Sequence, residues 1–146
     1  MNLEFLHENM MGPNAWLIAE ELTANLPLRK GMKVLDLGCG RGLTSVFLAE
    51  KFGVEVFALD LWTSATENYN RFQQAGVSHL TIPLQLDALQ LPFAEDFFDA
   101  VISIDSYHYF GNNDTYFTRV LRSVLKKDAI VAIAFPGMKY ELHQNI

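Results

Sequence analysis

The chain has 146 residues, of which 50% are hydrophobic, and its formal net charge is −6 at pH 7. This length suits one domain with one core, and the hydrophobic content argues against disorder. The acidic balance and the lack of any run of Lys or Arg argue against a nucleic-acid backbone as partner. We therefore expect a single domain over 1–146 that does not bind nucleic acid.

The amino terminus has no basic stretch followed by a long apolar run, so the sequence predicts no signal peptide. The longest apolar runs, such as 129–135, are strand-sized and too short to span a bilayer. A single cysteine excludes an intramolecular disulfide. We expect a cytoplasmic protein that does not enter a membrane.

Apolar residues recur at helical spacing over 14–26, and Pro27 ends this predicted helix. Residues 1–12 have no clear period and are expected to form a loop or a short helix. Asn14 and Trp16 are either residues of a pocket or a helix cap and a core anchor. The second interpretation is favoured.

A glycine-rich turn follows the first predicted strand, 33–37, and precedes a predicted helix over 43–52. The run 34–42 reads Val-Leu-Asp-Leu-Gly-Cys-Gly-Arg-Gly. Strand, glycine turn and helix together form the nucleotide-binding unit of doubly wound α/β folds. Gly38 and Gly40 allow a sharp turn and leave no Cβ where a ligand must lie close.

The spacing of the glycines narrows the class of ligand. A dinucleotide fingerprint, G-x-G-x-x-G, needs glycine at position 43, where this chain has Leu43. The observed pattern, D-x-G-x-G-x-G, resembles the first motif of the class I S-adenosylmethionine-dependent methyltransferases. The resemblance implies S-adenosylmethionine as cofactor, with Gly38, Cys39 and Gly40 beside it and Asp36 shaping the turn. A redox or nucleophilic function of Cys39 is disfavoured.

The second predicted strand, 54–59, ends at Asp60, which lies 20 residues after Gly40. Doubly wound folds place an acid here to accept hydrogen bonds from ribose hydroxyls. The alternative is an acid at a helix N-terminus, and both functions are compatible. In the resembling families the next residue packs near adenine, which implies that contact for Leu61. Trp62 either stacks there too or covers the helix.

After a predicted helix over 64–74, the third predicted strand, 80–86, contains Pro83, which favours an edge position. Asp87 and Ala88, followed by Leu-Gln-Leu-Pro-Phe, resemble the adenine-binding motif of small-molecule methyltransferases. The resemblance implies that Asp87 accepts the exocyclic amine and that the next N–H meets a ring nitrogen. The alternative for Asp87 is an ordinary loop acid.

The fourth predicted strand, 97–105, is apolar on both faces, as in a central parallel strand. Its end and the loop to position 110 are expected to face the transferred methyl group. Asp105 either binds the methionine amino group or orients the acceptor. His108 is the candidate general base, because the ordinary pKa of histidine lies near neutrality. The alternative is a histidine packed among the neighbouring aromatic residues Tyr107, Tyr109 and Phe110.

A helix over 115–125, a lysine turn at 126–128 and a fifth strand over 129–135 complete the predicted elements. Together they predict an α/β fold, a Rossmann-like doubly wound, mostly parallel sheet of order 3-2-1-4-5 with helices on both faces. The polar tail 138–146 cannot supply strands six and seven of the full family sheet. We therefore expect a C-terminally truncated domain whose strand-five edge is available for a homo-oligomer.

The resemblance implies a methyltransferase that uses S-adenosylmethionine to methylate a small-molecule acceptor. Methyl transfer needs no metal, and no Cys/His cluster with ligand spacing occurs in the sequence. Two alternatives remain: a non-catalytic S-adenosylmethionine-binding or interaction module, and, less favoured, a nicotinamide-dependent oxidoreductase.

Overall fold

The computed structural model describes residues 2–137. These residues form a five-stranded sheet in the order β3-β2-β1-β4-β5, in which all neighbouring strands are parallel. The strands are β1 (Lys33–Leu37), β2 (Glu55–Asp60), β3 (Thr81–Gln85), β4 (Phe98–Ile104) and β5 (Leu125–Ala134). The predicted fold class and strand order are confirmed, and β3 with its proline lies at an edge.

Helices cover both faces of this sheet. They are α1 (Leu3–Asn9), α2 (Ala15–Thr23), α3 (Leu43–Phe52), α4 (Ala65–Gln74), α5 (Asp114–Tyr116) and α6 (Arg122–Val124), with a 3-10 turn at Tyr107–Tyr109 and a π turn at Phe117–Leu121. Local chemistry fixes the start of α4, where Ser64 and Glu67 form a reciprocal capping box.

The two faces of β1 pack into two separate hydrophobic cores, because successive residues of a strand point to opposite sides of the sheet. Val34 belongs to the core beneath α1 to α4, together with Phe47 and Phe72. Leu35 and Leu37 belong to the core beneath α5 and α6. Burial on both sides makes β1 the centre of the fold, and the glycine turn follows directly from its end.

The carboxyl-terminal part of the fold differs from the sequence prediction. Strand β5 begins at Leu125, so the predicted turn 126–128 belongs to the strand instead. The Lys126 ammonium pairs with the Asp99 carboxylate at 2.8 Å, and Leu125 is in register with Phe98. These contacts with β4 extend the strand. The predicted continuous helix over 115–125 is also interrupted, because the Arg122 N–H donates to the Phe117 carbonyl in a π turn.

Crossovers leave β1 and β4 in opposite directions along the sheet, which opens a crevice at their carboxyl ends. Within residues 2–137, no helix has the length and apolarity to cross a membrane. The predicted lack of strands six and seven concerns 138–146, which lie outside the described residues.

Candidate cofactor-binding site

A cleft of about 450 Å³ lies at the carboxyl ends of β1, β2 and β4. This size is typical of small-molecule sites. Eight of the predicted site residues line it, namely Gly38, Cys39, Gly40, Asp60, Leu61, Asp87, Ala88 and Asp105. Asp36 and His108 do not line it. The structure thus brings residues from four separate loops to one cavity.

The glycine turn passes so close to the loop after β4 that a side chain cannot fit at position 38. A Cβ on Gly38 would clash with the Ser106 hydroxyl oxygen, and the φ of +79° also favours glycine. Ser106 and Ser103 both donate hydrogen bonds of 2.8 Å to the Leu37 carbonyl. The two hydroxyls therefore fix the distance between the glycine turn and the loop after β4.

Helix α4 supports the other side of the glycine turn. The buried Asn68 amide donates to the Gly40 carbonyl at 2.9 Å, and its oxygen accepts from the Arg71 guanidinium. A Cβ on Gly42 would lie 2.5 Å from the Phe72 ring, so this glycine permits close packing of α4 on the turn. Sequence analysis missed Asn68, whose position on the inner face of a predicted helix was the available signal.

The carboxylate of Asp60 is held by backbone amides at the wall of the cleft. One oxygen accepts from the Gly40 N–H at 3.2 Å, and the other accepts from the N–H groups of Trp62 and Thr63 at 3.0 and 2.8 Å. Asp60 therefore ties β2 to the glycine turn and orders the loop that leads to α4. It also lines the cleft, where a ribose hydroxyl could donate to it.

Asp36 lies beneath the turn, almost completely buried. The Ser45 hydroxyl of α3 donates to its carboxylate at 2.6 Å. Burial raises the pKa of Asp36 to about 7, in spite of the opposing hydrogen bond from Ser45. Asp36 thus supports the turn from below and does not reach the cavity itself.

Cys39 contributes to the cleft through its position in the turn. Its sulfur accepts a hydrogen bond of 3.6 Å from the Asn68 amide. Burial raises the pKa of the Cys39 thiol well above its ordinary value, as do the nearby carboxylates of Asp36 and Asp60. A protonated thiol is a poor nucleophile, which agrees with the structural function favoured by the sequence.

The loop after β3 presents Asp87 and Ala88 to the cleft. The exposed Asp87 carboxylate accepts from the Leu89 N–H at 2.9 Å, which makes a local turn. The Ala88 carbonyl accepts a hydrogen bond of 2.9 Å from the Tyr116 hydroxyl, which is buried under the same loop. Tyr116 therefore anchors this wall from the opposite core.

The loop after β4 starts with an unusual backbone conformation. Asp105 has a φ of +57°, and its N–H donates to the Ala134 carbonyl of β5 at 2.7 Å. This left-handed residue reverses the chain so that Ser106 returns over Gly38. Non-glycine residues in this conformation are uncommon and cluster at functional sites.

His108 lies in the 3-10 turn of the same loop, with its ring 4.2 Å from that of Tyr109 between centroids. Its Nδ1 atom is buried and has no hydrogen-bond partner among residues 2–137. Tyr109 lines the cleft, whereas His108 does not. The predicted base is therefore adjacent to the site and not within it.

Helices α1 and α2 and the segment between them contribute lining residues that the sequence did not indicate. Asn9 and Met11 line the cleft, and the Arg41 guanidinium donates to the Glu8 carbonyl at 3.1 Å. Asn14 instead caps α2, and Trp16 packs edge-to-face on Phe47. The cap and core-anchor interpretation of Asn14 and Trp16 is thereby confirmed.

Most of the charged side chains that line the cleft are carboxylates, which accept hydrogen bonds. Asp60, Asp87 and Asp105 offer carboxylates, which suit ligand groups that donate hydrogen bonds, such as hydroxyls and amines. Across residues 2–137, no group of three His, Cys, Asp or Glu side chains has the arrangement of a metal site. A nucleoside with a free amino group fits this set of acceptors.

Residues 34–128 match the family model described as a methyltransferase domain. The chain is 31% identical over 118 residues to Methyltransferase GfsG of Streptomyces halstedii, an alignment that covers 80% of this chain and 42% of that protein. It is 31% identical over 93 residues to 27-O-demethylrifamycin SV methyltransferase of Amycolatopsis mediterranei, covering 63% and 34%. The matched segments thus span less than half of either relative.

Among solved structures, a SAM dependent methyltransferase from Aquifex aeolicus superposes with a TM-score of 0.73 at 19% identity, over 90% of this chain and 70% of that one. This likeness shows the fold. Together with the family match, it identifies the chain as a member of the methyltransferase-domain family, the class I S-adenosylmethionine-dependent methyltransferases.

Proposed function

We propose that this chain binds S-adenosylmethionine in the cleft and forms the core of an enzyme that methylates a small molecule. The observation that carries this proposal is the convergence of the glycine turn, Asp60 and Asp87 on one cavity at the switch point of the sheet. When bound, the sulfonium cofactor supplies an electrophilic methyl group. The remaining steps depend on residues of this chain and on the acceptor.

The residue assignments are those that the family resemblance implies, and they are supported by the position of these residues in one cleft. Gly38 and Gly40 bring the backbone close to the methionine part, and Asp105 lies within reach of its amino group. Asp60 accepts from the ribose hydroxyls, because it lines the cleft and its three backbone hydrogen bonds leave acceptor capacity on the carboxylate. Asp87 and Ala88 contact adenine, with Leu61 on the ring face.

Catalysis would consist chiefly of alignment and exclusion of water. The glycine turn and Asp60 would hold the cofactor so that its methyl group is open to the acceptor's lone pair, and the thioether would be the leaving group. The acceptor then loses its proton to a base or to solvent. His108 is the proposed base, supported by its place beside Tyr109 of the cleft lining; because its own side chain lies outside the lining, it would have to turn toward the acceptor to take the proton.

A non-catalytic binding module is the second candidate, and one observation favours it. The matched segments cover less than half of the two relatives described above, so more than half of each relative has no counterpart in the alignment. Turnover assays that measure S-adenosylhomocysteine formation with small-molecule acceptors decide between the candidates. Cofactor binding without turnover would favour the module.

We also propose a cytoplasmic protein that does not bind nucleic acid and that forms a homo-oligomer through the edge of β5, which pairs with no further strand among residues 2–137. Val131 and Phe135 at this edge are exposed, and unpaired edge strands favour association. Light scattering after gel filtration tests the oligomer: a concentration-independent monomer would contradict it.

A further inference from the structure

Large apolar side chains gather at the mouth of the cleft, where they remain open to solvent. Those that line it are Met11, Leu61, Trp62, Leu89 and Tyr109. Trp62 is 75% exposed and Tyr109 is 65% exposed. Exposed apolar patches of this kind mark binding surfaces, because burial of such groups on ligand binding is favourable. We refer to Trp62 and Tyr109 as the rim pair.

The rim pair bridges two loops that are distant in sequence. Trp62 follows β2 and Tyr109 follows β4, and β1 lies between these strands in the sheet. The ring centroids are 5.9 Å apart at an angle of 88°. The pair therefore spans the glycine turn, above the part of the cleft assigned to the cofactor.

The geometry of the contact leaves a flat apolar surface uncovered. In an edge-to-face pair, one ring presents its edge to the face of the other, so further ring faces stay free to stack. The Asp60 carboxylate holds the Trp62 and Thr63 amides, which orders the loop that carries the indole. A flat ring is the ligand shape that this ordered surface fits.

Charge restricts the ligand further. Asp60, Asp87 and Asp105 all line the cleft. Among the described lining residues, Arg41 carries the one formal positive charge, and its guanidinium already donates to the Glu8 carbonyl. A carboxylate or phosphate on the acceptor would meet three like charges against the single guanidinium of Arg41, which is unfavourable on balance.

We propose that the rim pair is the platform for the methyl acceptor, and that the acceptor is a flat, apolar ring compound without an anionic group. The proposal rests on the proposed function and specifies its substrate class. Stacking on the rim pair covers the cleft, excludes water and directs a ring substituent toward the glycine turn. This places the nucleophilic atom on the side of the methyl group.

The test uses calorimetry on the 146-residue chain with two probes that share one ring system, 2-naphthol and 2-naphthoate, at neutral pH. Binding of S-adenosylhomocysteine is measured first, and the probes are then titrated with and without it. We expect 2-naphthol to bind at least about tenfold more tightly than 2-naphthoate, because the anion meets the three carboxylates.

Variants locate the binding surface. Trp62→Ala and Tyr109→Ala should each weaken 2-naphthol binding about fivefold or more and leave the affinity for S-adenosylhomocysteine within about twofold. Tyr69→Ala is the matched control, since Tyr69 is an exposed tyrosine of α4 that does not line the cleft. Its affinities should equal those of the unaltered chain.

Each other outcome overturns the proposal. Equal binding of the two probes contradicts the charge argument, and failure of both to bind contradicts the platform. Loss of S-adenosylhomocysteine affinity in the rim variants would assign the pair to the cofactor instead. If the unaltered chain binds 2-naphthol but not S-adenosylhomocysteine, the proposed function fails, and with it the assignment of the rim pair to a methyl acceptor.

Discussion

The carboxylate of Asp60 accepts a hydrogen bond of 3.2 Å from the N–H of Gly40, and this contact joins the end of β2 to the glycine turn after β1. The other oxygen of the same carboxylate orders the loop that carries Trp62. One side chain thus fixes two walls of the cleft. The acid assigned to ribose also determines the shape of the cavity that would hold it.

Asp60→Ala should weaken S-adenosylhomocysteine binding by about tenfold or more, because a charge-assisted hydrogen bond and the shape of the wall are both lost. Calorimetry measures the affinity, and thermal unfolding of the same sample reports the loss of the three backbone contacts. Unchanged affinity in the folded variant would show that the ribose assignment is wrong. The affinity of Asp87→Ala for S-adenosylhomocysteine provides a comparison at the part of the cleft proposed to hold adenine.

Gly38→Ala should both destabilise the chain and abolish cofactor binding. The added Cβ would meet the Ser106 hydroxyl, whereas a Cβ at Gly31 would meet nothing within 4 Å at a similar φ of +86°. Gly31→Ala is therefore a matched control that carries the backbone strain alone, about 1–3 kcal/mol. Urea unfolding gives the two stabilities. Equal destabilisation of the two variants would contradict the close approach of the loop after β4.

The buried carboxyl of Asp36 predicts a pH dependence of stability. Burial raises its pKa to about 7, above the ordinary value of 3.8, so the folded chain prefers the protonated acid. Its favourable contribution is complete at pH below the unfolded value and disappears as the pH rises through about 7. The free energy of unfolding should fall over this interval by a few kcal/mol, to order of magnitude.

Asp36→Asn should remove that slope, as measured by urea unfolding between about pH 5 and 8.5. Asp99→Asn is the control. Burial raises the pKa of Asp99, but hydrogen bonds from Lys126 and Lys33 lower it by more, which places its titration below this interval. The same slope in Asp36→Asn and in the unaltered chain would exclude Asp36 as its source.

His108→Gln tests the proposed base once an acceptor is known. A general base of this kind contributes about 10²- to 10⁴-fold, so kcat should fall by that factor while KM for the cofactor stays unchanged. A variant with full activity would assign His108 to packing against Tyr109.

The sequence predicted the parts of the site that depend on local motifs. The glycine turn, the acid after β2 and the Asp-Ala pair after β3 lie where their spacing indicated, because strand ends in a parallel sheet meet at one edge. The local sequence pattern does not predict contacts between segments that are distant in the chain. Met11 enters the cleft through tertiary packing, and residues 1–12 lack the periodicity that would have placed it.

The predicted start of the fifth strand was wrong for a related reason, because β5 begins at Leu125 and not at position 129. Lysine and aspartate at 126–128 are typical of a turn, yet the ion pair of Lys126 with Asp99 and the register with β4 extend the strand. Charged side chains are common on edge strands, where they discourage aggregation. Pairing with β4 therefore outweighed the local preference of these residues for a turn.

Calorimetric titration of the 146-residue chain with S-adenosylhomocysteine tests the central claim most directly, with NAD⁺ titrated in parallel. We expect S-adenosylhomocysteine to bind with a dissociation constant in the micromolar range, about −8 kcal/mol, and NAD⁺ not to bind. The Gly38→Ala variant should show no heat of S-adenosylhomocysteine binding. A folded chain that binds no S-adenosylhomocysteine, or that binds NAD⁺ more tightly, would contradict the assignment of the cleft.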